Sequence, residues 1–240
     1  MNKDIIIHVI APGDTLYSLA RRYNTTVDII MDANPYLDPN RLVVGDQIII
    51  YRRPNIPSNA ITERELELMD NMAALFDNNV ILERQSIVSV VNNLNDIDVI
   101  NERMLRNVIE IGNLFRRYYG SEIADRITNL FRNHLLIGSK FIDATKKGDN
   151  ANAETYNREW LQNADNIAAL FNEINPFFQE DEVRQFMYGH IDRIKRILSN
   201  RLASNYAAEM DAFDEAREQV IMMSDYFTNG IIEQFPNQFL

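Results

Sequence analysis

Apolar residues fall into two regimes along the chain. Up to about residue 51 they come in short runs broken by turn residues. Beyond residue 62 they recur every three or four positions with few interruptions. In the first regime Ile5, Ile6, Ile7, Val9 and Ile10 are mostly β-branched, which suits a strand. Pro12-Gly13-Asp14 is turn chemistry, since proline fixes φ and glycine accepts positive φ. Asp14 or Thr15 then caps a short helix whose inner face is Leu16, Leu19, Ala20 and Tyr23. A second capped segment opens at Thr25 or Thr26, carries Val27, Ile29, Ile30 and Ala33, and closes at Asn34-Pro35, where proline stops the helix. A polar turn (Asp38-Pro39-Asn40-Arg41), Leu42-Val43-Val44 and a Gly45-Asp46 turn lead into a second strand, Gln47 to Tyr51. The predicted order is strand, helix, helix, strand.

This stretch resembles the LysM (lysin motif) module. Between about Ile7 and Tyr51 it carries, in order, PGDTL-x-S-L-A-x-x-Y, T-T-V-D-x-I-x-x-A-N-P and N-x-L-x-V-G-D-x-I-x-I. The resemblance implies a small α+β domain (βααβ) with both helices on one side of a two-stranded antiparallel sheet. It also implies binding of β-1,4-linked N-acetylglucosamine chains, in peptidoglycan or chitin, in a shallow groove between two loops. Those loops are Gly13, Asp14, Thr15 and Leu16 on one side, and Asn34, Pro35, Tyr36, Leu37 and Arg41 on the other. N-acetyl groups need backbone donors and acceptors and a small apolar patch, which Gly-containing turns offer. Each neutral hydrogen bond contributes only about 1 kcal/mol net, so one such groove binds weakly unless avidity multiplies it. The alternative is that Gly13, Asp14 and Thr15 only build the turn and the cap. No acid/base pair lies in the module, and no catalytic residue is assigned.

Arg52 to Asn59 holds two prolines and no periodicity, and reads as a short, semi-extended spacer. The expected division is 1–51 for the LysM module, 52–61 for the linker and 62–240 for an all-helical part. Thr62-x-x-Glu65 is a capping box that opens the latter. The first inward seam is Leu66, Met69, Ala73, Phe76, Val80, Glu83, Ile87, Val90 and Leu94. Further seams run Met104 to Tyr118, Ile123 to Ala144 and Tyr156 to Ile174, followed by a pair of helices over about Asp181 to Gln234. Breaks are predicted at Asn95-Asp96, Tyr119-Gly120, Gly148-Asp149, Asn175-Pro176 and Ser204-Asn205.

Self-comparison gives the organisation. Phe115, Phe171 and Phe227 are successively 56 residues apart. Phe76 to Val80, Phe131 to Leu135 and Met187 to Ile191 align at offsets of 55 and 56, and Gly148 and Ser204 also lie 56 apart. The expected architecture is an all-α bundle of three repeated helical hairpins, six helices in all. NADNIA (Asn163 to Ala168), MMSD (Met222 to Asp225) and GIIEQFP (Gly230 to Pro236) resemble an uncharacterised bacterial helical family that often accompanies LysM. No activity is implied by that likeness.

Composition narrows the partners. The 240-residue chain has a net charge of −11 and no cysteine, which rules out disulfides and thiolate metal sites. Residues 1–57 are neutral, with six basic and six acidic side chains, whereas the rest has 18 basic against 29 acidic. The larger part is therefore not expected to bind nucleic acid or an anionic membrane. No apolar run approaches the roughly 18 residues of a membrane span. The N-terminus reads as a strand rather than a signal peptide, so synthesis in the cytoplasm is expected, with spore or cell-wall association by a route the sequence leaves open.

His134 and His190 share one repeat position, where the first repeat has Asn79. Glu83 lies one turn further along the same face, and Asp225 on the last helix is a fourth polar candidate. Imidazoles and carboxylates from different helices are how bundle metal sites are made, but the Glu-x-x-His pairing of di-iron bundles is missing. These four are taken as a structural polar layer; no metal and no cofactor is expected. The adjacent Arg116 and Arg117 read as a solvated face with ion pairs, and Phe235 to Leu240 as a tail docked on the bundle. The functional expectation is non-catalytic glycan binding, with the bundle as an interaction platform for a further protein partner. The rival is a LysM-targeted enzyme whose bundle carries a metal-dependent or wall-hydrolytic site.

Overall fold

The computed structural model describes residues 5–23, 25, 27–38, 42–51 and 61–239. The chain divides into two compact units, Met1–Thr62 and Glu63–Leu240. The spacer expected over 52–61 falls almost wholly outside the described residues.

In the first unit β1 (Ile5–Val9) pairs antiparallel with β2 (Gln47–Tyr51), with Ile7 opposite Ile49 and His8 opposite Ile48. Side chains alternate across the strands, so Ile48 and Ile50 point inward while Ile7, Val9 and Ile49 face outward. The helices α1 (Leu16–Arg22) and α2 (Val27–Ala33) cover the inner face. The core there is Ile10, Leu16, Leu19, Ala20, Ile30, Ile48 and Ile50. The strand, helix, helix, strand order matches the sequence expectation.

The second unit contains α3 (Glu63–Asn92), α4 (Ile97–Lys146), α5 (Asn150–Ile174), α6 (Glu180–Leu202) and α7 (Tyr206–Gln234). Gly120, at φ 78° and ψ 177°, breaks α4 into two arms, which makes six helical segments in three hairpins. Each hairpin turns in the same way. Asn93, Gly148 and Ser204 all have positive φ, and the next residue's N–H reaches back to Ser89, Ala144 and Asn200 respectively. That is the left-handed C-terminal stop that caps a helix's last carbonyls. Within each hairpin an amide side chain ties the second helix to a carbonyl of the first. Asn107 Nδ2 donates to Leu75 O (3.2 Å), Asn163 Nδ2 to Leu130 O (3.2 Å) and Gln219 Nε2 to Phe186 O (2.7 Å). The three donors are 56 residues apart, a repeat feature that the sequence reading did not pick out.

The repeat-related phenylalanines meet at the centre. Ring centroids of Phe115 and Phe171 are 5.3 Å apart, those of Phe171 and Phe227 4.4 Å, and those of Phe115 and Phe227 6.1 Å. The hairpins are closed into a ring by polar contacts as well. Arg217 of α7 pairs with Asp77 of α3, and Arg184 of α6 with Asp165 of α5. Glu209, fully buried on α7, is held between Arg84 of α3 and Arg201 of α6.

One detail of the predicted seams is corrected. At the start of α3 the buried positions are Leu68, Met72 and Phe76, while Leu66 is exposed and Met69 and Ala73 are half-buried. Leu94, placed on the same seam, is exposed beyond the end of α3. Two apolar stripes compete on this helix, and the neighbouring helices pack on the one that carries Leu68, Met72 and Phe76. Phe239 is buried, stacking on Tyr118 at 5.7 Å, so the C-terminal tail docks on the bundle as expected. Arg116 pairs with Asp125 and Arg117 with Glu67, both at the surface.

Phe227 touches the rings of Phe76, Phe115, Phe171, Phe178 and Tyr226. Phe227→Ala is expected to destabilise the helical unit by about 3–5 kcal/mol, read from the shift of its urea-unfolding midpoint.

Candidate functional site

The loop after β1 is held from inside. His8 Nε2 donates to Asp14 Oδ2 at 2.6 Å, and the Tyr23 hydroxyl donates to His8 Nδ1 at 2.8 Å. Asp14 Oδ2 also accepts the Ala11 N–H at 2.8 Å, and Oδ1 faces Arg22 Nη1 at 3.2 Å. The Asp14 side chain is only 4% exposed. Burial pushes its pKa up, but the Ala11 N–H, His8 and Arg22 outweigh burial and hold it below the usual carboxylate value. Thr15 and Ser18 cap α1 reciprocally: Thr15 Oγ1 accepts the Ser18 N–H at 3.0 Å and Ser18 Oγ accepts the Thr15 N–H at 2.9 Å. Leu16 belongs to the core. Gly13, at φ 84°, is exposed together with Ala11 and Pro12.

The loop after α2 is fixed by Asn34. Its Nδ2 donates to Ile30 O and Ile49 O, both at 2.7 Å, while its Oδ1 accepts the Ile49 N–H at 2.8 Å. The amide thus pairs with the outer edge of β2 as a further strand residue would. Beyond it Pro35 is exposed, Tyr36 is fully exposed at 100%, and Leu37 packs against the edge of the core. Arg41 lies outside the described residues.

Residues 8–50 match the LysM domain family. No curated protein and no solved structure matches the chain. A LysM domain is a binder of N-acetylglucosamine polymers, and carbohydrate binding is the coarse function of this region. Of the nine residues named from the sequence, Asp14, Thr15 and Asn34 direct their side chains into the domain's own framework. Leu16 is buried, and Gly13, Pro35, Tyr36 and Leu37 remain at or near the surface. His8 was not singled out from the sequence. Its only signal there is a polar residue on the inward phase of an otherwise apolar strand. Among the described residues no helix is long and apolar enough to cross a membrane.

In the helical unit, three of the four polar candidates come together. His134 and His190 have ring centroids 6.1 Å apart. His190 Nε2 lies 3.1 Å from Glu83 Oε2 and 3.3 Å from Oε1. His134 Nδ1 donates to Asn163 Oδ1 at 2.8 Å; the Asn163 amide is oriented by its own donation to Leu130 O. All three candidates are buried. Asp225, on α7, is half-buried and does not line the cavity that His134 and His190 share. Burial and the neighbouring His190 ring bring the His134 pKa down to about 3, against the upward pull of the Asn163 bond. Among the described residues no group of three or more His, Cys, Asp or Glu is placed to hold a metal ion.

Two expectations follow from these geometries. Asp14→Asn should destabilise the LysM domain by roughly 1.5–3 kcal/mol near neutral pH, seen as faster amide exchange at Ala11. Because the native Asp14 pKa is depressed, that stability is complete above the unfolded value of about 4 and is lost as pH falls through the lower native value. The difference between variant and parent should therefore shrink in acid. For His134, the unfolded state takes up a proton near pH 6.5 while the native state stays neutral to about pH 3. Between these limits each unit of acidification should remove about 1.4 kcal/mol from the bundle. His134→Asn should flatten that dependence in urea unfolding measured from pH 7 to pH 4.

Proposed function

We propose that the LysM domain binds a cell-envelope N-acetylglucosamine polymer, peptidoglycan or a chitin-like chain, through the turn at Gly13, the loop Pro35-Tyr36-Leu37 and Arg41. The match of residues 8–50 to a glycan-binding family carries this reading. In it, Asp14, Thr15, Leu16 and Asn34 set the shape of the two loops rather than touch sugar with their side chains. Tyr36 is the natural partner for a pyranose face or an acetyl methyl, being a large aromatic side chain with its whole surface in solvent. With contacts of about 1 kcal/mol each, one domain binds a short oligosaccharide weakly and gains hold on a polymer through repeated engagement.

The domain division that accompanies this reading is 1–51 for glycan binding and 62–240 for a helical platform joined by 52–61. The platform carries the acidic surplus, 29 acidic against 18 basic residues beyond residue 57. That charge favours a basic protein partner over nucleic acid. Placement in cell-wall or spore layers follows if the polymer is peptidoglycan.

Sedimentation of the full chain with insoluble peptidoglycan and with chitin tests the proposal. Retention on at least one polymer is expected, and Tyr36→Ala should weaken it about tenfold, equivalent to about 1.4 kcal/mol. Failure of the folded parent to bind either polymer overturns the reading.

A further inference from the structure

The helical unit contains a cavity of about 30 Å³ lined by residues from all three hairpins. Its polar wall is the repeat position Asn79, His134 and His190. Met187 and Met223 also line it, and the remainder is Phe76, Val108, Ile111, Phe131, Leu135 and Val220. A water requires about 10–15 Å³ and an organic ligand several hundred, so the space suits an atom-sized occupant.

Two buried nitrogens of the histidines on this wall have no hydrogen-bond partner, His134 Nε2 and His190 Nδ1. Each belongs to a ring whose other nitrogen is engaged. His134 gives its Nδ1 hydrogen to Asn163, and His190 gives its Nε2 hydrogen to Glu83. With a single proton on each ring, these bonds fix the tautomers and leave a bare lone pair on each unpartnered nitrogen. An amide oxygen or carboxylate behind the far N–H is the support that orients metal-binding imidazoles and raises their basicity. The ring centroids are 6.1 Å apart, a separation that accommodates two metal–nitrogen bonds of about 2 Å and two ring radii, roughly 6 Å in all, when the two nitrogens face one another.

We propose that this cavity is a site for a single Cu(I) ion, bound by His134 Nε2 and His190 Nδ1 with the thioethers of Met187 and Met223 completing its surroundings. The donor set selects the metal. Thioethers and imidazoles are soft or borderline, neutral ligands that suit Cu(I), whereas Mg(II) and Ca(II) require oxygen and structural Zn(II) is usually held by thiolates. Charge selects it too. The carboxylate of Glu83 behind His190 balances one positive charge, and a divalent ion in so apolar a cavity would keep an uncompensated charge. The site lies in the helical unit and is independent of glycan binding by the LysM domain.

The test is an anaerobic titration of the full chain with Cu(I) in competition with the chromophoric chelator bicinchoninate, followed by X-ray absorption at the copper edge. One equivalent should be withdrawn from the chelator, with both nitrogen and sulfur scatterers around copper. Met187→Leu and Met223→Leu conserve volume and should leave the fold intact. Each should weaken copper capture at least tenfold, and combining them with His134→Asn should abolish it. Capture that is unchanged in the folded double methionine variant overturns the proposal. So does a parent protein that leaves all copper with the chelator and holds only ordered water between the two rings.

Discussion

Phe115, Phe171 and Phe227 lean on one another around a single point, and the helical unit is arranged about that contact. Aromatic pairs of this kind are worth about 0.5–1.5 kcal/mol beyond the area they bury, but their larger effect is geometric. Each ring comes from a different hairpin, so no two hairpins can slide or rotate without opening a gap that the third cannot fill. Phe76 and Phe131 extend the same layer, meeting at 6.4 Å, and Phe178 seals it against Phe171 and Phe227. Interiors packed to crystal-like density respond to such displacement as a unit.

The polar groups of the bundle are placed by this frame. Once the phenylalanines fix the hairpins, the residues three positions after Phe76, Phe131 and Met187 converge on the same axis, and they are Asn79, His134 and His190. Asn107, Asn163 and Gln219 sit on the second helix of each hairpin, where each finds a carbonyl of the first. Only Asn163 combines both tasks, stapling to Leu130 and orienting His134. The equivalent oxygens of Asn107 and Gln219 have no partner. The three copies therefore agree in how they pack and differ in the hydrogen bonds they complete.

Much of this was legible beforehand. The βααβ order of the first unit follows from proline and glycine punctuation around short β-branched runs, and the three hairpins from the 56-residue spacing of their phenylalanines. The start of α3 was not legible in register, because Leu66, Met69 and Ala73 form as good a stripe as Leu68, Met72 and Phe76 until neighbouring helices choose between them. In the LysM loops the sequence marks Asp14 and Asn34 but does not say which way they face. An acidic or amide side chain beside a turn serves equally well as a sugar contact or as a substitute for missing backbone pairing. The structure gives Asn34 the second task, since its amide reproduces a strand's donor and acceptor against Ile49.

Asn93, Gly148 and Ser204 carry the same left-handed turn with three different side chains, only one of them glycine. The local rule that favours glycine at such a stop is thus relaxed twice by a surrounding geometry that holds the chain in place regardless. A copy tolerant of change at its corner is also free to change at its axis. Internal duplication of this kind lets a single chain do what identical subunits cannot: give each third of one chamber its own chemistry while the wall around it stays the same.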